Sequence, residues 1–136
     1  LKGEDVIEVV WVVLKSKNRF LLIQRSVDDV SGGTWCFPGG KVNPEDKTLA
    51  NAAARELKEE TNLNGHNFKL LHTLRVGQYN THIFLCNMWD GELKPACVDI
   101  VGIGWFTVAE IHTIGQSLAP FLAECLMYVS YLLYQH

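Results

Sequence analysis

No Cys-x-x-Cys pair occurs in this chain, and its four cysteines, Cys36, Cys86, Cys97 and Cys125, are scattered. That pattern speaks against zinc or dithiol chemistry. Buried free thiols in a reducing cytosol are expected instead, which makes the cytoplasm the expected compartment. The five histidines (His66, His72, His82, His112 and His136) show no metal-ligand spacing and are read as structural or exposed. No basic patch is visible: 12 Lys and Arg stand against 15 Asp and Glu, a net charge of −3. Binding to a nucleic-acid backbone is therefore not expected. No secretory signal is recognisable. The one long apolar stretch, near the C-terminus, is interrupted by Pro120 and Glu124, so neither a membrane span nor a membrane partner is expected. Internal repeats, low-complexity tracts and linkers are also missing. What remains is 136 residues, 48% hydrophobic and 20% charged. That is the profile of one globular domain spanning 1–136, large enough for a real core.

The order of elements alternates. Ile7 to Leu14, with Val9, Val10, Trp11, Val12 and Val13, reads as a buried strand. A turn at Lys15 to Asn18 leads to a returning strand over Arg19 to Gln24. A loop follows at Ser31 to Thr34, then a tight turn at Gly39-Gly40, where glycine permits close approach of backbone. Thr48 is an N-cap for a helix from about Leu49 to Thr61. Ala50, Ala53, Ala54 and Leu57 form its apolar stripe for packing on a sheet, with its acids turned the other way. Strands are expected over Phe68 to Leu74, His82 to Trp89 and Ile100 to Phe106, with a turn from Asp90 to Pro95. A last helix is expected from near Leu118. Core packing is its default role, and a helix apolar on more than one face also suits a homodimer interface.

The chemistry is concentrated in two neighbouring stretches, Phe37-Pro38-Gly39-Gly40-Lys41-Val42 and Arg55-Glu56-Leu57-Lys58-Glu59-Glu60-Thr61-Asn62-Leu63. Residues three and four apart share one helical face, so Glu56, Glu59 and Glu60 stand together. Like charges at that spacing repel by a few tenths of a kcal/mol, and a divalent cation reverses the sign. Arg55, four before Glu59, offsets part of the repulsion. Taken alone, such a helix is more commonly a solvated charged face.

The two stretches together resemble the Nudix hydrolase signature, G-x5-E-x7-R-E-U-x-E-E-x-G-U with U aliphatic. Arg55, Glu56, Leu57, Glu59, Glu60 and Leu63 match in register. Trp35 to Val42 resembles the entry turn of that family, Phe20 to Arg25 its second strand and Ile103 to Ile111 its strand-to-helix ending. The resemblance runs over residues 6 to 111. Two departures stand out. Gly40 to Arg55 is 15 steps where the signature has 14: counting back from Arg55 puts Lys47 at the first acidic position, counting forward from Gly40 puts Asp46 there, and a bulge in the loop lets Asp46 or Glu45 fill the role. Asn62 replaces the signature glycine, and Asn tolerates the left-handed conformation best after Gly.

The resemblance implies an α/β fold, a Nudix-type α/β/α sandwich with a mixed β-sheet. It implies Mg²⁺ (or Mn²⁺) held by Glu56, Glu59 and Glu60 with the carbonyl of Gly39 or Gly40, and Arg55 orienting Glu56. The general base is Glu59 on the helix or Asp99 on a distant loop, with Glu92 a weaker choice. Gly39 and Gly40 are expected beside the substrate. Arg25 is a candidate for substrate phosphate or, equally, an ordinary surface salt bridge. Tyr79 lies near where diadenosine-polyphosphate-cleaving members place a Tyr. The implied reaction is hydrolysis of a phosphoanhydride in a small nucleotide. Nucleoside triphosphates, oxidised ones included, rank first. Diadenosine polyphosphates, nucleotide sugars, or nucleotide binding without cleavage are the alternatives.

Overall fold

The computed structural model describes residues 5–27, 32–114 and 122–134. Among these residues the strands are β1 (Ile7–Val13), β2 (Lys15–Ser16), β3 (Arg19–Arg25), β4 (Trp35–Cys36), β5 (Gly39–Lys41), β6 (Asn64–Val76), β7 (Tyr79–Asp90) and β8 (Ile100–Thr107). The helices are α1 (Leu49–Thr61), α2 (Val108–Ile114) and α3 (Leu122–Tyr134), with a 3-10 turn at Pro44–Asp46. One sheet has the order β5-β1-β7-β6. It is mixed: β1 runs parallel to β7 and antiparallel to β5. In the second sheet β3 pairs antiparallel with β2, β4 and β8.

Side chains of a strand alternate between faces, and here the two faces of β1 serve two cores. Val10 and Val12, with Leu14 just beyond the strand, pack with Phe84 and Cys86 of β7 against Ala52, Ala53 and Leu57 of α1. Val13 and Ile83 face the other way. They join Phe20, Leu22 and Phe37, Ile111 of α2, and Leu122, Cys125, Leu126 and Val129 of α3. With α1 on one side and α2 and α3 on the other, the fold is the expected α/β/α sandwich. Ala52 and Ala53 explain how close α1 lies, since a small side chain lets the helix backbone approach the sheet. Leu57, fully buried, anchors it, a contribution of about 1.5–3 kcal/mol.

Both ends of α1 are set by local chemistry. Thr48 Oγ1 accepts from the Asn51 N–H at 3.1 Å. Asn62 closes the helix in the left-handed conformation, φ 68° and ψ 7°. Helix α2 starts on a reciprocal cap: Glu110 N–H donates to Thr107 Oγ1, and Thr107 N–H donates to Glu110 Oε1. In α3 the inward residues recur at Leu122, Cys125, Leu126 and Val129, the stripe of an amphipathic helix. Met127, Tyr128 and Tyr131 remain exposed. The expected start of this helix near Leu118 lies outside the described residues. No helix among the described residues is long and apolar enough to cross a membrane.

Several expectations need correction. Gly39-Gly40 is not a tight turn but part of the short strand β5, with Gly39 opposite Trp11 and Gly40 opposite Val10. A Cβ on Gly39 would sit 2.1 Å from the Val10 carbonyl oxygen, so glycine serves close approach there. Strands β6 and β7 are longer than read, because their hairpin pairs from Asn64↔Asp90 to Val76↔Tyr79, with one register shift between Leu70 and His72. Cys36, Cys86 and Cys125 are buried as expected, but Cys97 is exposed. His82 is structural and buried, with its ring held between Glu8 Oε1 at 2.6 Å and Thr73 Oγ1 at 3.0 Å.

Because the Thr48 cap fixes where α1 begins, Thr48→Ala is expected to lower stability by about 1 kcal/mol. Urea denaturation checks this, with an unchanged m-value.

Candidate active site

Helix α1 lies along strand β5, and this contact builds the site. The expectation that the acids of α1 turn away from the sheet is only partly met. Glu60 is 5% exposed. Its Oε1 accepts from the Gly39 N–H at 2.8 Å, and its Oε2 accepts from Arg25 Nη1 at 3.1 Å. Glu56, one turn earlier, is pressed against Gly40: a Cβ there would lie 2.7 Å from Glu56 Oε2. Glu59 projects outward, its side chain about half exposed. The three acids therefore share one helical edge but sit at three depths. Burial pushes the Glu60 carboxyl up to about 7, with the Glu56 charge adding to it and Arg25 and the Gly39 N–H pulling it back. Burial also raises Glu56, against the opposing effect of Arg55.

Arg55 gathers the rest. Nε and Nη2 donate to the two oxygens of Asp46 at 2.7 and 2.9 Å, a bidentate pair. Nη1 donates to Glu56 Oε1 at 2.9 Å and Glu59 Oε1 at 2.8 Å. Nη2 also donates to the Lys41 carbonyl at 3.0 Å. These partners, Asp46 foremost, raise the guanidinium well above its ordinary value. Bonding to Arg55 in turn holds the Asp46 carboxyl below the usual carboxylate range. Of the two candidates for the first acidic position, Asp46 faces Arg55, while Glu45 is exposed. The 3-10 turn aims it: Asp46 Oδ2 accepts from the Asn43 N–H at 2.7 Å. The loop then closes through Lys47 at φ 68°. Asn43, Pro44 and the acid at Asp46 form a helix-start pattern that sequence reading passed over.

The remaining candidates separate. Arg25 is not an ordinary surface pair. Its side chain is one-fifth exposed and bridges Glu60 to the Gly39 carbonyl, to which Nη2 donates at 3.0 Å. Asp99 is brought to the same end of β3, since its carbonyl accepts from the Ser26 N–H at 2.7 Å, next to Arg25. Glu92 is exposed, and its carbonyl meets Asn62 at the end of α1. Tyr79 is not brought to the acids. It stands at the β6–β7 hairpin, opposite Ile7 and Val76. By alternation it shares the Ile83 face of the sheet and not the α1 face.

The oxygen donors of this edge are hard, and they match Mg²⁺ or Mn²⁺ in kind. Glu56, Glu59 and Glu60 are the residues that would hold such an ion, with a carbonyl of the glycine strand. Gly40, lacking a Cβ, lets the Glu56 carboxylate lie directly against the strand backbone. Among the described residues no three His, Cys, Asp or Glu side chains are already gathered into a cage. Glu56 and Glu59 are turned onto Arg55.

An acid-edged helix clamped by arginine against a glycine strand, in an α/β/α sandwich, defines a class, and comparison with known proteins identifies it. The NUDIX domain pattern matches residues 6–125. The chain is 34% identical over 93 residues to an 8-oxo-dGTP diphosphatase of Proteus vulgaris, covering 63% of this chain and 82% of that protein. It is 42% identical over 55 residues to CTP pyrophosphohydrolase of Escherichia coli (strain K12), 40% of each. Among solved structures, the MutT NUDIX hydrolase of Burkholderia pseudomallei superposes with a TM-score of 0.78 at 23% identity, covering 93% of this chain and 99% of that one. The NUDIX domain of Shewanella oneidensis NrtR, in complex with ADP ribose, superposes with a TM-score of 0.81 at 20% identity, covering 96% and 90%. The chain belongs to the NUDIX family and is a Nudix hydrolase.

The Glu60 environment predicts a pH dependence for the metal-free protein. The unfolded carboxyl ionises near 4.5 and the folded one near 7. Between those values the unfolded state releases its proton first, so stability falls as pH rises from about 4.5 to about 7 and levels off above. Glu60→Gln is expected to remove that contribution. Urea midpoints in EDTA across the window, parent against variant, measure it.

Proposed function

We propose that this chain is a divalent-metal-dependent pyrophosphohydrolase acting on nucleoside triphosphates, oxidised ones included. The observation that carries this reading is the edge of α1: Glu60 and Glu56 lie against Gly39 and Gly40, Glu59 stands outside them on the same edge, and Arg55 holds Glu56 and Glu59. A phosphoanhydride is surrounded by negative oxygens, and an acid cluster alone would repel it. Bound Mg²⁺ or Mn²⁺ supplies the neutralising charge and lowers the pKa of a water.

The protein's own part is positioning. The glycine strand lets backbone approach the phosphates without side chains in the way. Arg55 fixes the rotamers of Glu56 and Glu59 and is itself fixed by Asp46. Arg25 keeps Glu60 tied to Gly39. Glu59, bonded to Arg55 through both oxygens but half exposed, is the first choice to accept a proton from the attacking water, and Asp99 is the alternative acceptor from the loop beside Arg25. The diphosphatases for 8-oxo-dGTP from Proteus vulgaris and from Escherichia coli (strain K12), the latter 29% identical over 87 residues, support triphosphates as the first class to try. Tyr79, the feature that favoured dinucleoside polyphosphates, sits away from the acids.

The test is release of phosphate and pyrophosphate from nucleoside triphosphates, 8-oxo-dGTP, nucleotide sugars and diadenosine polyphosphates, with Mg²⁺ or Mn²⁺ and with EDTA. Turnover of a triphosphate that EDTA abolishes is expected; a panel left intact in either metal would overturn the reading. Glu59→Gln and Asp99→Asn then separate the bases, since the true one costs about 10²–10⁴-fold in turnover and the other far less.

A further inference from the structure

The residue that breaks the signature, Asn62, has a contact that glycine cannot make. Its backbone takes the left-handed conformation that the position requires. Its side-chain Nδ2 donates to the Glu92 carbonyl at 2.9 Å, across 30 residues of chain. Two backbone bonds continue that contact. Lys94 N–H donates to the Thr61 carbonyl at 3.1 Å, and Ala96 N–H donates to the Glu60 carbonyl at 3.2 Å. The last carbonyls of a helix have no partner inside it. Here the segment 91–99 supplies those partners and caps α1 as a strap. Gly91 enters the strap in close contact with the same place, its would-be Cβ 3.0 Å from the Asn62 carbonyl oxygen. The far end of the strap is tied as well, through the Asp99 carbonyl and Ser26 N–H beside Arg25. The strap thus runs from the end of α1, over the backbone of Glu60, to the strand end that carries Arg25.

We propose that Asn62 is a positioning residue: its amide latches the 91–99 strap to α1, so that Asp99 and the helix acids are held as one unit during hydrolysis. The proposal rests on the hydrolase reading above. Leu93 is the strap's one apolar tether, half-buried against the core under α1, and the rest of the segment is exposed. Segments of that kind open on low free energies, and one side-chain bond then shifts the opening equilibrium measurably. The Asn62 oxygen faces Lys58, whose Nζ approaches Oδ1 at 3.4 Å, so the amide is oriented with its nitrogen toward Glu92.

Two variants isolate the latch. Asn62→Gly restores the signature residue, keeps the left-handed backbone and removes the amide. Asn62→Asp keeps the shape and the Lys58 contact but turns the donor into an acceptor facing a carbonyl. Hydrogen exchange by mass spectrometry across 91–99 is expected to quicken about two- to tenfold in both, the range one net hydrogen bond accounts for. Exchange inside α1 should stay at the parental rate. With 8-oxo-dGTP and dGTP as probes, kcat is expected to fall by a similar factor while KM holds. Unchanged exchange in the strap would overturn the latch. Faster exchange with unchanged kcat would overturn the positioning role. A parent chain that hydrolyses nothing would overturn the proposed function and the catalytic half of this inference, while the exchange data would still decide the latch.

Discussion

The structure of this site depends on one guanidinium. Arg55 donates to Asp46, Glu56, Glu59 and the Lys41 carbonyl at once. Three carboxylates so close cannot share a surface without a cation among them. Arginine suits the role because its planar fork offers five donors in fixed directions and stays charged throughout the useful pH range. The fork also decides the shape of the loop. Asp46 takes the Nε and Nη2 side as a bidentate partner, and the 3-10 turn forms to deliver it there. The loop carries one residue more than the signature, and Asp46 still reaches the fork.

A second constraint is the distance between α1 and β5. Glycine at 39 and 40 removes the Cβ atoms that would collide with the Val10 carbonyl and with the Glu56 carboxylate. Glu60 then reaches the Gly39 N–H and is buried in doing so. Burial alone would favour the neutral acid. Arg25 on the facing strand partly offsets it, and the site keeps a carboxyl poised near neutrality. The strap over the end of α1 belongs to the same arrangement, since the Glu60 carbonyl it caps is one residue's backbone away from the side chain at the centre.

Much of this was legible in the chain. Helix α1 was readable to the residue because Thr48, the alanine stripe and Asn62 are local signals that agree with one another. The α/β/α architecture followed from the signature and the strand pattern around it. What was not legible depended on long-range contact. Arg25 and Glu60 lie 35 residues apart, and nothing in either stretch says that they pair. Depth within an acid run is likewise invisible: Glu56, Glu59 and Glu60 look alike in sequence, and only their distances from β5 set them apart. Gly39-Gly40 was misread because glycine signals both turns and close approach, and a partner strand decides which. The choice of Asp46 over Glu45 was within reach, since Asn43, Pro44 and the acid three residues past the cap announce a capped turn.

The most direct test of this account is a crystal structure with Mn²⁺ and a non-hydrolysable nucleoside triphosphate, read by the anomalous signal of the metal. The account predicts a peak on the α1 edge within about 2.2 Å of carboxylate oxygens of Glu56 and Glu60, with Arg55 still paired to Asp46. A peak elsewhere on the protein, or a nucleotide bound with these carboxylates untouched, would contradict it.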